Sequence, residues 1–454
     1  MYTKEYKKWN AEKASIFGKN DKDILIKKLK SSFSNRANDD MINILGDYKA
    51  LLGNEGLEGL KKSYENQASL TMKEDQQKIV DFVNRHLLQQ LKDPHKEIIV
   101  ISGGPGTGKT IVGIRFILEY VKIFNNGEND NKVIFCLPRS KTVKAMFDAA
   151  CGVDEEHEKE YCCYLHEIAD KQNLVVVDEA HRITKLEKSL DDVFRQGTKL
   201  LILLQDDHQM LRPGEEGTYS KIKEFAESRH IQFSPADAEE KNILTLIDEK
   251  RCDEKLLRGL EKLFYDECVT VDEPINNIKI FDQIENFERW KNQKAINSRT
   301  KYILPFCWPW KSKNHSATID ISIGEFKKTW NPEDTDDQVL WLNDPSDDRA
   351  ACIYTSQGLD MDNVAFIWWD DLKWNEEKFE WEGNITKLED PSFKNGGKNL
   401  QQEELDLLIK NTYYVMMTRP RNELAIWFHD ISTKKHVLEV LGLVSEEGKK
   451  GRQF

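Results

Sequence analysis

Residues 97–113 read EIIVISGGPGTGKTIVG, and this stretch decides the fold class. Its first half is an unbroken, β-branched apolar run, the pattern of a strand buried on both faces of a parallel sheet. Its second half gathers glycines, each of which costs backbone entropy and brings no side chain. Glycine at that density belongs where the main chain must come very close to something. Gly103, four residues, then Gly108, Lys109 and Thr110 is the spacing of a phosphate-binding loop. In such a loop Gly103, Gly104, Pro105, Gly106, Thr107 and Gly108 turn their backbone N–H groups toward the phosphates. Lys109 reaches the β- and γ-phosphates and Thr110 ligates Mg2+. The following helix, TIVGIRFILEYV, points the positive end of its dipole at the same anion. An ordinary glycine-rich turn needs neither the strand before it nor the helix after it.

Working outward, KVIFCLP, NLVVVDEA and KLLILLQDD repeat the apolar run, with amphipathic stretches between them. This is the signature of a parallel sheet with crossover helices. NLVVVDEAHRI delivers Asp178 and Glu179 at the C-terminal end of a strand, where ligands bind in open α/β sheets. Asp178 is the expected Mg2+ ligand. Glu179 is expected to orient and polarise an attacking water, which distinguishes hydrolysis from mere nucleotide binding. LLILLQDDHQMLRP places Asp206 and Gln209 beyond a further strand, where a polar group can sense a γ-phosphate. His166, His181 and His208 stand at no metal-ligand spacing and read either as structural or as supports behind a site residue.

The chain has 454 residues, enough for two or three compact domains. With 39% hydrophobic and 32% charged residues it reads as globular. No apolar run reaches the roughly 18 residues that cross a bilayer, and MYTKEYKKWN lacks the apolar core of a signal peptide, so a cytoplasmic protein with no membrane partner is expected. The eight cysteines show neither zinc-ligand spacing nor a disulfide framework, and read as reduced thiols. A net charge of −13 argues against a surface that embraces nucleic acid all round, while leaving room for a basic channel. Residues 1–66 read as a helical N-terminal extension, 67–235 as a first nucleotide-binding lobe and 236–454 as a second lobe. RAACIYT, NVAFIWW and ELAIWF supply strands to the second lobe, and residues 373–402 form a polar insertion in it. Eleven tryptophans are many for this length. Trp308, Trp310, Trp330, Trp368, Trp369, Trp374 and Trp381 crowd the second half, some as candidate base-stacking platforms beside Lys311 and Lys313. At least one of Trp368 and Trp369 must be core, since both lie in an apolar strand.

The order of these elements resembles superfamily 1 helicases and, more closely, the Schlafen-group-3-like DNA/RNA helicase domain family, over about residues 70–428. LTMKEDQQKIVDFV is similar to the family's adenine-reading element, with Gln76 at the matching position. LPRS sits where the family contacts a nucleic-acid strand. DEAHR matches motif II and DDHQ resembles motif III. LTLIDEKRC carries Arg251, CIYTSQGLDMDNVAFIW carries Gly358, and NTYYVMMTRPRNELAIW carries Arg419 and Arg421. FCWPWKSKN and FKKTWN resemble this family and not helicases in general. The resemblance implies an α/β fold of two RecA-like P-loop NTPase lobes with parallel sheets, and ATP with Mg2+ in the cleft between them. It implies catalytic work by Lys109, Glu179 and Gln209 from one lobe and by Arg251, Arg419 and Arg421, as arginine fingers, from the other, with Gly358 at the nucleotide. Release of the γ-phosphate then lets the lobes part, and the motor steps along single-stranded DNA or RNA. The chain departs from the family pattern at Gln205 (Gly), Tyr354 (His) and Asp360 (Glu). It is also short between Thr110 and Asp178 and between Arg251 and Thr355, where processive unwinding enzymes carry inserted subdomains. These departures keep a second reading open: a regulatory switch NTPase whose protein partner is gripped by the N-terminal helices, with a role in defence against foreign DNA by family analogy.

Overall fold

The computed structural model describes residues 74–104, 107–124, 133–137, 162–168, 172–234, 245–246, 253–265, 275–313, 318–331, 341, 344, 346–356, 361–396 and 400–451. They belong to one compact unit, residues 55–454. The extension read over residues 1–66 lies outside the described residues, as do the bulk of LPRS and the residues Pro105, Gly106, Arg251, Gly358 and Asp360.

Helix α1 (Glu74–Lys92) leads into β1 (Glu97–Gly103), the glycine loop and α2 (Lys109–Phe124). There follow β2 (Val133–Leu137), β3 (Cys162–Tyr164), β4 (Leu174–Val177), α3 (Leu186–Arg195), β5 (Leu200–Gln205), α4 (Tyr219–Ser228), β6 (Gln232–Ser234) and β7 (Thr245–Leu246). These strands form a 7-stranded sheet in the order β3-β2-β4-β5-β1-β6, with β7 also on β1, and every pairing is parallel. Thr245 and Leu246, beyond the boundary expected at residue 235, pair with Ser102 and Gly103.

The alternation of side chains explains why these strands are apolar throughout. Ile99, Ile101, Val176, Ile202 and Leu204 pack with Val83, Val112 and Phe116 of α1 and α2. Their neighbours Ile98, Val100, Val175, Leu201 and Leu203 face the other way, onto Leu190, Val193, Ile222 and Phe225 of α3 and α4. A sheet between two helical layers buries both sets, and each such side chain contributes about 1.5–3 kcal/mol. The register Ser102 to Gln205 and Val177 to Leu203 brings the C-terminal ends of β1, β4 and β5 side by side. The three polar motifs leave the sheet from those ends.

The second half runs α5 (Glu254–Tyr265), β8 (Ile278–Phe281), α6 (Ile284–Ala295), β9 (Thr300–Ile303), β10 (Ile321–Ile323), β11 (Phe326–Lys328), β12 (Ala350–Ala351), α7 (Ile353–Ser356) and β13 (Met361–Trp368). It continues with β14 (Leu372–Asn375), β15 (Glu380–Gly383), α8 (Pro391–Gly396), α9 (Gln402–Met417), β16 (Pro420–Phe428), α10 (Ile431–Val440) and α11 (Glu446–Gly451). A 5-stranded sheet in the order β12-β9-β13-β16-β8 is again wholly parallel, and β10–β11 and β14–β15 are antiparallel hairpins. The chain is thus α/β with two RecA-like parallel sheets.

Helix α9 lies on this second sheet, with Tyr413 against Phe366 and Trp368 at centroid distances of 5.2 and 4.9 Å. The polar insertion folds as the β14–β15 hairpin and α8. Its Trp381 stacks on Trp368 and donates its indole N–H to the Leu263 carbonyl at 3.0 Å. Trp330, Trp368 and Trp381 are buried. Trp308, Trp310 and Trp369 are half-buried against the cluster that holds Trp330, so packing accounts for most of the tryptophans. Among the described residues no helix is long and apolar enough to cross a membrane.

Candidate nucleotide site

The loop after β1 is braced from α1. Gln76, buried, donates from Nε2 to the Thr107 carbonyl at 3.0 Å, and the Thr107 hydroxyl donates to the Gly104 carbonyl at 3.0 Å. Gly108 stands at φ +88°, in the left-handed region, and a Cβ there would meet Gln76 Nε2 at 2.6 Å. Only glycine satisfies both the dihedral and the space. Lys109, at the first position of α2, is buried and donates from Nζ to the Gly103 and Gly104 carbonyls at 2.5 and 3.0 Å. The ammonium therefore sits inside the loop's own curl, where an anion cradled by the loop would meet it.

Strand β4 ends at Val177, and the next two residues face α2. Thr110 donates its hydroxyl to Asp178 Oδ2 at 2.7 Å, and Glu179 N–H donates to Asp178 Oδ1 at 3.0 Å. Burial, then the charge of Glu179, pushes the Asp178 carboxyl up; Thr110 and Lys109 oppose them. Burial pulls Glu179 upward too, but the His181 imidazole, with Lys109 and Arg182, outweighs it and holds this carboxyl low and ionised. A hydroxyl and a carboxylate at hydrogen-bond distance are the hard oxygen donors that suit Mg2+.

Glu179 is held in an unusual way. Its φ of 51° lies in the left-handed region, which side chains rarely occupy unless their surroundings enforce it. His181 Nε2 lies 3.1 Å from Glu179 Oε2, yet neither atom has an aligned hydrogen-bond partner. Behind the ring, Asp206 N–H donates to His181 Nδ1 at 3.3 Å. Gln209 donates from Nε2 to Asp206 Oδ2 at 2.6 Å, and Gln205 donates to the Ser102 hydroxyl at 2.9 Å. One network of direct contacts thus joins Thr110, Asp178, Glu179, Asp206 and Gln209. His181, which the sequence offers as either structural or a support behind a site residue, is its central link and takes the second part.

Arg419 stands just past Thr418, which caps α9, is 2% exposed, and donates from Nε to the Val415 carbonyl at 3.0 Å. Arg421, on β16, is exposed. Both sit where the α9 chain enters the second sheet.

A family model for the Schlafen group 3, DNA/RNA helicase domain matches residues 96–430. The chain belongs to that family. At this level it is a nucleotide-driven, helicase-type NTPase. Among solved structures, this Schlafen group 3 helicase domain is similar to the arterivirus nonstructural protein 10 helicase, determined with DNA. The match has 12% identity and a TM-score of 0.34, and covers 76% of this chain and 63% of that one. It is also similar to domain III of the Thermotoga maritima replication initiation protein DnaA, with 16% identity, a TM-score of 0.22, and coverage of 40% and 68%. No curated protein matches the chain.

Proposed function

We propose that the chain is an ATP-hydrolysing motor of the superfamily 1 type that acts on single-stranded DNA or RNA. The observation that carries this reading is the meeting of Thr110 with Asp178 and Glu179, beyond the ends of β1 and β4 on either side of β5, with Lys109 folded into the loop beside them. Thr110 and Asp178 would hold Mg2+, which when bound supplies charge neutralisation at the phosphates. Lys109 would exchange its two loop carbonyls for phosphate oxygens and Gln76 would read the adenine. The N–H groups of residues 103–108 would wrap the β-phosphate. Glu179, ionised and with Oε2 lacking an aligned partner, would accept a proton from an attacking water and orient it at the γ-phosphate. Gln209 would report the γ-phosphate to the turn on which it sits. Arg251, Arg419 and Arg421 would neutralise charge from the second lobe, and Gly358 would lie at the nucleotide. The two lobes would then close on ATP and part after its hydrolysis.

The test is ATP turnover by the full chain, with and without single-stranded DNA or RNA at low salt, against Lys109→Ala. Turnover that nucleic acid stimulates, and that Lys109→Ala abolishes, is expected. Stimulated turnover persisting in Lys109→Ala removes the assignment. Turnover indifferent to either nucleic acid transfers it to a switch NTPase read by a protein partner.

A further inference from the structure

The turn that follows β5 is held from two directions. From the first sheet, Asp206 N–H occupies Nδ1 of His181, and the ring's Nε2 lies 3.1 Å from Glu179 Oε2. From the second, Asn411 of α9, 0% exposed, donates through Nδ2 to the carbonyls of Asp207 and Met210, each at 3.0 Å. One amide group therefore spans both ends of the turn. Its Oδ1 accepts from the Tyr265 hydroxyl at 2.8 Å, and the Tyr265 ring stacks on His208 of the same turn with centroids 3.8 Å apart. A polar side chain buried in an apolar helix costs stability unless its bonds are made, and both donors of this one are aimed at one short turn of the other sheet.

We infer that Asn411 is a positioning residue for Glu179: it fixes the turn at 206–210, the turn fixes the His181 ring, and the ring abuts the carboxylate and limits where it can stand. The inference rests on the reading of Glu179 as the group that orients the attacking water. It also gives α9, which ends beside Arg419, a second task. A displacement of α9 against the first sheet pulls on the Asp207 and Met210 carbonyls, draws Asp206 N–H away from His181, and releases the ring that abuts the carboxylate. Since an error of an ångström at a reacting group can cost about 100-fold in rate, a small shift of the helix is enough to set turnover. Motion of the second sheet is thereby read at the water-orienting group without any contact between α9 and the nucleotide.

The experiment measures kcat and KM for ATP on the full chain in the presence of single-stranded nucleic acid. Asn411→Asp keeps the size and the acceptor but loses both donors; Tyr265→Phe removes only the hydroxyl that orients Asn411. Each is also combined with Glu179→Gln. Asn411→Asp is expected to lower kcat about 10-fold and Tyr265→Phe about 3-fold, with KM for ATP within about 3-fold of the parent. In the Glu179→Gln background both effects should vanish, because a residue that acts through Glu179 has nothing left to position. A kcat within about 2-fold of the parent for both variants overturns the inference. So does an undiminished effect in the Glu179→Gln background, which marks a loss of packing. Should Asn411→Asp fail to fold, the Tyr265→Phe cycle decides by the same criteria. A parent chain that turns over no ATP refutes the nucleotide reading itself, a result visible before any variant is made, and the inference falls with it.

Discussion

Glu179 joins two costs at one residue: a left-handed backbone at φ 51° and a carboxylate oxygen without an aligned hydrogen-bond partner. Strain of this kind costs about 1–3 kcal/mol and persists only where the surroundings over-determine it. Here the surroundings are Asp178, which takes the Glu179 N–H, and His181, which faces the carboxylate. Glu179→Gln keeps the shape and removes the base. It is expected to lower ATP turnover about 100-fold or more while leaving nucleotide affinity, measured by titration with a fluorescent ATP analogue, within a few-fold. A similar loss of affinity would show that Glu179 binds and does not act. A second carboxylate, in the other half, bears on stability. Asp371 is 1% exposed, accepts from the Tyr413 hydroxyl at 2.5 Å, and is lifted by burial to about 6. In the unfolded chain its value is about 3.9. Between those values the folded state keeps a proton that the unfolded state has lost. This group therefore makes the fold less stable as pH rises through that window, by on the order of 3 kcal/mol once it is passed. Asp371→Asn should gain on the parent in unfolding free energy from pH 4 to pH 7, as denaturant titrations at several pH values would show. A difference flat with pH would place the group's titration elsewhere.

The segment that follows the 207–209 turn comes back to lie along motif II. Glu216 N–H donates to the Ile183 carbonyl at 2.8 Å and Gly217 N–H to the His181 carbonyl at 3.3 Å. A Cβ on Gly217 would stand 1.9 Å from the Ala180 carbonyl oxygen. Backbone meets backbone there, and no rotamer change gives room. Gly217→Ala is expected to lower unfolding free energy by about 2 kcal/mol or more and to reduce turnover with it, since motif II must move; chemical denaturation and an ATPase assay would check both. What the sequence carries at this scale depends on how many residues share one environment. Strands β1, β4 and β5 are buried on both faces over four to seven residues, so their composition announces them. The pairs Thr245–Leu246 and Ala350–Ala351 are too short to hold a period. The insertion at 373–402 reads as polar because its charged residues outnumber its aromatics, yet those aromatics make it part of the fold. Trp374 and Trp381 meet at 5.4 Å, and Trp381 joins Trp368. Spacing singles out Lys109 and Thr110, and the end of an apolar strand singles out Asp178 and Glu179, as residues of one candidate site, whereas nothing in the sequence singles out Asn411. An asparagine in an apolar helix shows nothing of a partner 201 residues away.

At the scale of the whole molecule, the two sheets are tied together through the loop after β5. Asn411 grips its first turn. Beyond it the Arg212 guanidinium lies 4.5 Å from the centroid of the Tyr354 ring. Tyr354 stands where the family pattern carries histidine, and its hydroxyl donates to Asp390 Oδ2 at 2.5 Å. The substitution thus supplies a broader aromatic face to a cation from the other half, a contact worth about 0.5–2 kcal/mol. Under the proposed reading this arrangement would give the second sheet mechanical access to the nucleotide, and that makes a demand on Arg419. If both halves complete one site, a guanidinium from the second must meet the γ-phosphate only as charge builds there, because an arginine that gripped ATP equally before and during reaction would tighten binding without raising the rate. Arg419→Ala is therefore expected to leave ATP affinity within a few-fold and to lower turnover by roughly 1,000-fold. The two quantities are separated by a binding titration beside single-turnover kinetics. Equal losses in both would make Arg419 a ground-state ligand. Unchanged turnover would mean that the second sheet does not complete the site, and that hydrolysis and the motion of α9 are driven from the first sheet alone.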